Sequence, residues 1–349
     1  MSKIDIEYHK LCTKILKEGY TYTDKSRDIT CLQISSYNLE LDKVHSNFPL
    51  LTTKKMFTKG IVGELLWFLR GDNNIKYLVE NGINIWNKDA YNWYLKHSDK
   101  NSDGHNNTIE DYIDFIKDSD LLYDEEITLN KKGDVGRSYG VQWRSWNANY
   151  GESMGKYDGE ESFEFRERDF DQIGNLIQNL INKPMSRRHI ITAWNPAELD
   201  ETALPPCHWA FEIIPYPLGN NFEFDLKWHQ RSVDTFLGLP FNITSYALLM
   251  KIIGELTGYI PNKLIGDLSN VHFYEPHIKL VKQQLKNDTE KYSSPEFQFS
   301  EKALREFERF RRGTIDLDAV LYAIDIEDFN FRNYNFFPAI EAEMYEPKK

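Results

Sequence analysis

The run Leu204-Pro205-Pro206-Cys207-His208-Trp209 decides how this chain is read, together with Gln230-Arg231-Ser232-Val233-Asp234 and Leu237-Gly238-Leu239-Pro240-Phe241-Asn242 downstream. Between the first two runs, Trp209–Ile214 and Phe222–Trp228 carry the alternation of strands, and after the third Ile243–Leu256 reads as a buried helix beginning just past Asn242. A thiol, a guanidinium, a carboxylate and an amide therefore sit in short stretches joined by strands. That set suits covalent attack on an electron-poor ring bearing an anionic handle. A thiol attacks only as the thiolate, and an adjacent arginine favours that form. Taken by itself, Cys207 reads more readily as a small buried hydrophobe; its neighbours reverse that balance.

Working outward, residues 4–18 form an amphipathic helix with Ile4, Tyr8, Leu11 and Ile15 on one stripe, and residues 30–41 a strand. Ile61–Leu69 is a strongly apolar helix carrying one acid, Glu64, whose burial is costly unless it is paired or employed. Ile173–Ile181 and His277–Leu285 read as helices, His189–Trp194 as a strand. Three stretches, 90–133, 149–168 and 285–315, read as surface insertions on a single domain spanning 1–349; the first holds a short acidic helix near Ile109–Ile116 and the last a charged helix, Ala303–Arg312. The layout is α+β, with strands clustered in the middle of the chain and helices at its flanks. No glycine-rich loop follows a strand, so a Rossmann or P-loop reading lacks its motif.

The totals bound the function. With 349 residues, 41% hydrophobic and 14% aromatic, the chain can build a real core. Lys+Arg 42 against Asp+Glu 54, a net charge of −12, counts against a general nucleic-acid binder or a structural RNA-binding role, yet leaves room for one basic pocket. No segment reads as a membrane span or signal peptide, and three widely spaced cysteines argue for reduced thiols in a cytoplasmic setting.

Arg187 and Arg188 follow Ser186, and Arg231 precedes Ser232, an arrangement suited to gripping a phosphate. Arg-Arg before a strand also reads as a solvated edge. Asn242 reads either as the N-cap of the following helix or as a ligand whose amide matches the N3–H and O4 of uracil. His272 and Tyr274 alternate, so both point one way and suit a sugar hydroxyl or a half-buried strand edge. A metal site from His272 and His277 has poor spacing.

With these residues in view, the chain resembles the folate-dependent thymidylate synthase family. The resemblance rests on Phe48-Pro49-Leu50-Leu51-Thr52-Thr53-Lys54-Lys55, Glu64-Leu65-Leu66-Trp67-Phe68-Leu69-Arg70-Gly71, Ile85-Trp86 and Tyr139-Gly140-Val141-Gln142-Trp143-Arg144. It continues through Ser186-Arg187-Arg188, Ala193-Trp194-Asn195-Pro196, the Cys207 run and the stretch from Arg231 to Tyr246. It covers most of the chain outside the three insertions.

The resemblance implies a mixed central sheet that forms a dimer interface, with helices on its other face. It implies Cys207 adding to C6 of dUMP, and Arg231 with Ser232 holding the phosphate while Arg231 favours the thiolate. Arg187 and Arg188 would reach across a homodimer to the partner's phosphate, with Lys25 near that group as well. Glu64 would organise water and protons, and Tyr139 would assist proton removal at C5. Asn242 would read uracil with His208 and Gln230 close by, and His272 and Tyr274 would meet the ribose. Ile85, Trp86, Asp234, Leu237, Gly238 and Phe241 would meet 5,10-methylenetetrahydrofolate, with no metal. The segment Tyr334–Ile340 resembles a closing tail.

Three departures stand out. The usual Asp-Arg-Thr-Gly is Asp24-Lys25-Ser26-Arg27, the usual Gly-Pro-Val-Tyr is Gly136-Arg137-Ser138-Tyr139, and the tail runs on through Tyr345 to Lys349. Such changes resemble in kind those of the phage nucleotide hydroxymethylases, so dUMP hydroxymethylation stands as the alternative to reductive methylation. Asn242 argues against dCMP, and Trp86 favours the synthase.

Overall fold

The computed structural model describes residues 2–25, 28–97, 108–118, 132–147, 150–157, 160–166 and 169–345. Ser26, Arg27, parts of the stretches 90–133 and 149–168, and the last four residues of the tail lie outside the described residues.

The chain opens with α1 (Lys3–Glu18), β1 (Tyr20–Asp24), β2 (Ile29–Leu41), α2 (Thr58–Leu69), α3 (Lys76–Glu80), α4 (Asn87–His97), α5 (Ile109–Asp118) and α6 (Tyr139–Arg144). Then follow β3 (Trp146–Asn147), β4 (Tyr150–Tyr157), β5 (Glu160–Arg166), β6 (Asp169–Phe170), α7 (Gln172–Asn182) and β7 (Ile190–Thr192). The last part holds β8 (His208–Leu218), β9 (Asn221–Gln230), β10 (Val233–Asp234), α8 (Gly238–Thr257), β11 (Ile260–Tyr274), α9 (Ile278–Gln284), β12 (Glu296–Phe299), α10 (Glu301–Arg311), α11 (Leu317–Ala323) and β13 (Phe329–Arg332). The α+β expectation holds. The single expected domain divides into two compact units: 1–65 with 179–190 and 207–349, and 66–178 with 191–206.

The first unit is built on a mixed sheet in the order β1-β2-β11-β9-β8, with β10 pairing in parallel with β11. The β2–β11 and β8–β9 pairs are antiparallel, and β9–β11 is parallel. Because side chains alternate along a strand, register decides which groups share a face. Tyr20 pairs with Gln33 and Gln33 with His272; Tyr22 pairs with Cys31 and Cys31 with Tyr274. These two rows, two residues apart, put Tyr20, Tyr22, Cys31, Gln33, His272 and Tyr274 on one face. Helix α1 packs its buried stripe of Ile4, Tyr8, Leu11, Cys12 and Ile15 against β2 and β11.

Helix α8 is buried along most of its length, from Leu239 to Leu256, which explains its lack of a polar face. It starts at Gly238, five residues before the start expected from sequence. Pro240 falls in its first turn, where a missing N–H costs nothing. The N-cap is therefore Leu237, and Asn242 lies inside the helix. The capping role for Asn242 is overturned. Strand β7 is shorter than the expected 189–194. The stretch 285–315, expected on the surface, supplies Phe297 and Phe299 of β12 and buried Ala303 and Phe307 of α10. Phe297 stacks on Phe48 at 5.0 Å, and Phe299 meets Phe307 at 5.0 Å.

In the second unit Trp67, Phe68, Trp86, Tyr139 and Trp143 form an aromatic core, with Phe68 stacked on Tyr139 at 4.8 Å. Within 90–133, Ala90, Trp93, Tyr94, Tyr112 and Ile116 are buried, so that stretch also supplies core. The pairs β3–β6 and β4–β5 are antiparallel.

Candidate active site

Cys207 leads directly into β8, where His208 pairs with Gln230 of β9 and the register then slips before Ala210. A bulge at Trp209 leaves that side chain partly exposed, beside the thiol in sequence. The backbone N–H of Arg231 donates to the Cys207 carbonyl at 2.8 Å, so the thiol-bearing and guanidinium-bearing residues are tied through the main chain. Cys207 is half-buried, whereas Cys12 and Cys31 are buried. Burial pushes the Cys12 thiol up to about 12, which leaves it inert at neutral pH.

A cleft of about 370 Å³ opens on the shared sheet face. It is lined by Arg231, Ser232, His272 and Tyr274, all singled out in the sequence, and also by Tyr20, Tyr22, Asp24, Cys31, Gln33 and Asn270. Asn270 had no visible signal. It adopts φ +51, and its Nδ2 donates to the Arg231 carbonyl at 2.9 Å. Its own carbonyl takes the Nδ1–H of His272 at 2.8 Å. Since a carbonyl only accepts, Nδ1 carries a proton, and Nε2 is turned away from that bond. Lys25 is exposed in the turn after β1. Arg187 and Arg188 are exposed on the bend before β7, and no described feature tests their expected reach across a dimer.

Asn242 is oriented by a chain of bonds that removes the usual amide ambiguity. The indole Nε1 of Trp228 is a donor only and meets Gln230 Oε1 at 3.1 Å. Gln230 Nε2 therefore faces outward, donating to Asn242 Oδ1 at 3.1 Å and to the Ser232 carbonyl at 3.1 Å. That leaves Asn242 Nδ2 to donate to a carbonyl such as O4 of uracil. Trp228 stacks on Tyr246 at 5.3 Å, and the Tyr246 hydroxyl lies 2.9 Å from His208 Nδ1. Burial pushes the His208 pKa down to about 3, so the ring beside Cys207 is held neutral. Trp228 and Tyr246 read as plain core residues in the sequence; their sites on β9 and α8 make them orienting groups.

Asp234 uses Oδ1 to accept from the N–H groups of Phe236 (3.0 Å) and Leu237 (3.2 Å), fixing the turn into α8. A Cβ on Gly238 would stand 3.6 Å from Asp234 Cβ and 4.0 Å from Asn242 Oδ1, filling room beside both. Leu237, Gly238 and Phe241 are half-buried, leaving apolar surface next to that room, which fits a flat heteroaromatic group. Lys54 is buried, donates to the Phe236 carbonyl and lies 4.0 Å over the Phe236 ring; burial pushes its pKa down to about 8. Glu64 is the half-buried exception in the buried run from Gly60 to Leu69, so its carboxylate keeps a route out of the helix.

The tail docks on the first unit. Tyr334 Oη donates to the Leu51 carbonyl, and the Phe337 N–H to that of Thr52, each at 2.8 Å. Tyr345, beyond the expected closing segment, packs on Tyr274 at 5.3 Å. Within the second unit, Tyr139 is buried at the start of α6, Trp86 is buried against Trp67 at 5.4 Å, and Ile85 is half-buried. Among the described residues no group of three or more His, Cys, Asp or Glu is placed to hold a metal, and no helix is long and apolar enough to cross a membrane.

Against known families, the model for thymidylate synthase matches residues 6–346. A thymidylate synthase of Staphylococcus haemolyticus is 34% identical over 99% of both chains. One of Mycoplasma genitalium is 34% identical over 97% of this chain and 99% of its own. One of Mesoplasma florum is 37% identical over 80% of this chain and 85% of its own. The chain belongs to the thymidylate synthase family.

Proposed function

We propose that this protein is an enzyme that reductively methylates dUMP to dTMP. The observation that carries the reading is the Trp228–Gln230–Asn242 relay, which ends in an amide turned to donate and whose Gln230 pairs with His208, the residue after Cys207, on the β8–β9 ladder. The thiolate of Cys207 adds to C6 of the pyrimidine. Arg231 and Ser232 hold the phosphate, with Lys25 nearby and Arg187 and Arg188 contributed by the partner in a homodimer. His272 Nε2 and the Tyr274 hydroxyl meet the ribose. 5,10-Methylenetetrahydrofolate, held by Ile85, Trp86, Asp234, Leu237, Gly238 and Phe241, supplies both the carbon and the hydride.

Tyr139 assists removal of the C5 proton to water. With the folate methylene carbon already bonded to C5, the C5–H electron pair becomes the exocyclic double bond as that carbon's bond to the folate nitrogen breaks, and Glu64 manages the proton that the departing nitrogen needs. Hydride then reaches the exocyclic carbon, C6–S cleavage regenerates the thiolate, and dihydrofolate leaves. The docked tail restricts water during this interval.

The test is spectroscopic. With dUMP and the folate, the enzyme is expected to raise the dihydrofolate absorbance in step with nucleotide consumption. Consumption with return of tetrahydrofolate would make it a hydroxymethylase. Asn242→Asp is expected to shift preference toward dCMP, measured by competing the two nucleotides.

A further inference from the structure

In the second unit Arg137 stands two residues before Tyr139, where the resemblance drawn from the sequence leads one to expect proline. Proline there would fix φ and stiffen the approach to α6. Arg137 imposes no such restriction and is held by contacts instead. Its N–H donates to the Glu201 carbonyl at 2.9 Å, its Nε to Glu198 Oε2 at 2.7 Å and its Nη2 to the Ser145 carbonyl at 2.6 Å. Its own carbonyl accepts from Gln142 Nε2 at 3.0 Å, and the other hydrogen of that amide goes to Glu198 Oε2 at 2.7 Å. The ion pair is largely shielded, with side-chain exposures of 22% and 11%.

Arg137, two residues before α6, thus ties the approach to that helix to the residue after it and to the segment 198–201. Gly136 permits the close approach: its φ is +74, and a Cβ there would stand 2.0 Å from the Glu201 carbonyl oxygen. The Ala203 N–H, bonded to the Val135 carbonyl at 2.8 Å, continues the same clamp toward Leu204-Pro205-Pro206. A six-residue helix has no stability of its own, and Ser138 makes no side-chain cap bond at its start. The seat of Tyr139, the first residue of α6, therefore depends on the clamp as well as on its stacking against Phe68.

We infer that Arg137, through its shielded ion pair with Glu198, is a positioning residue for Tyr139. The inference rests on the proposed role of Tyr139 in taking the proton from C5. That role allows a clean test, because 5-fluoro-dUMP forms the covalent ternary complex with Cys207 and the folate but has no C5 proton to lose.

Tritium release from [5-³H]dUMP and the rate of 5-fluoro-dUMP trapping are measured in parallel on wild type, Arg137→Ala and Arg137→Lys. A misplaced proton-transfer group costs on the order of tenfold to a hundredfold. Arg137→Ala is expected to lose at least about tenfold in tritium release while trapping stays within about threefold of wild type. Arg137→Lys, which keeps charge but not the two-pronged fork, is expected to fall between. Should Arg137→Ala not fold, a selective loss of release in Arg137→Lys alone still supports the inference. Equal losses in release and trapping in whichever variants fold would make the clamp merely structural and overturn it, as would no loss in either. A wild-type protein that neither traps nor releases label overturns the functional reading, and the inference with it.

Discussion

Asn242 and Tyr139, the residues assigned to the uracil edge and to its C5 proton, are held in place by different means. Asn242 sits on a buried helix, and its partners Gln230, Trp228 and Tyr246 belong to β9 and to α8 itself, so regular ladders and close packing fix the amide. Tyr139 opens a short helix that is seated by side-chain bonds from loops 61 residues apart in the chain, Arg137 to Glu198. Packing of strands and helices tolerates change at any one contact. A clamp centred on one guanidinium tolerates less. The amide assigned to the base is thus fixed by ladder and helix packing, whereas the tyrosine assigned to the C5 proton depends in part on a loop-to-loop ion pair.

Four measurements on the sheet-borne side sharpen that contrast. The largest effect is expected from Cys207→Ser, which exchanges the nucleophile for a much weaker one: turnover should fall by about 10³-fold or more, while dUMP titration shows binding retained. Binding lost in the same proportion would mean that the side chain builds the pocket and does not attack.

Trp228→Phe keeps a ring in the core but removes the donor that fixes Gln230, leaving a buried acceptor unpaired. The cost is about 1–3 kcal/mol. A drop in kcat/KM for dUMP of roughly tenfold or more, with weaker discrimination against dCMP, is expected. Unchanged discrimination would break the link between the indole and the uracil edge.

The third measurement is of acid stability. His208 has its pKa pushed from 6.5 to about 3 by burial, so below pH 6.5 the unfolded chain binds a proton that the folded one refuses. Stability is therefore expected to decline as pH falls from 6.5 toward 3. A His208→Gln variant, compared with wild type across that window by thermal melting, should show a shallower decline; parallel curves would place the acid sensitivity elsewhere.

The smallest effect is expected for Asn270→Gly, which keeps the left-handed backbone but deletes the bond to the Arg231 carbonyl. One neutral hydrogen bond contributes about 1 kcal/mol, so KM for dUMP should rise about fivefold with kcat little changed.

Much of this was legible in the sequence because it lies in short runs. Cys207, Arg231, Ser232 and Asp234 sit at the ends of strands whose alternation is plain, and His272 and Tyr274 share a face by period two alone. The start of α8 was not legible, because Leu237-Gly238-Leu239-Pro240 has the composition of a turn and burial overrides that local preference. The cap assigned to Asn242 failed for the same reason. The Trp228 relay and the Asn270 bond depend on register between strands distant in sequence, and the Arg137–Glu198 pair on a loop-to-loop contact; no local pattern signals any of these. The core contributions of 90–133 and 285–315 were hidden because their buried aromatics are diluted by charged and polar residues.

The central claim is that the Cys207 sulfur, and no other, becomes bonded to the pyrimidine. Incubation with 5-fluoro-dUMP and methylenetetrahydrofolate, followed by denaturation, digestion and mass spectrometry, measures it directly. A single adduct carrying both nucleotide and folate on the peptide that contains Cys207 is the expected result. An unmodified Cys207 peptide, or an adduct on Cys12 or Cys31, would contradict the account.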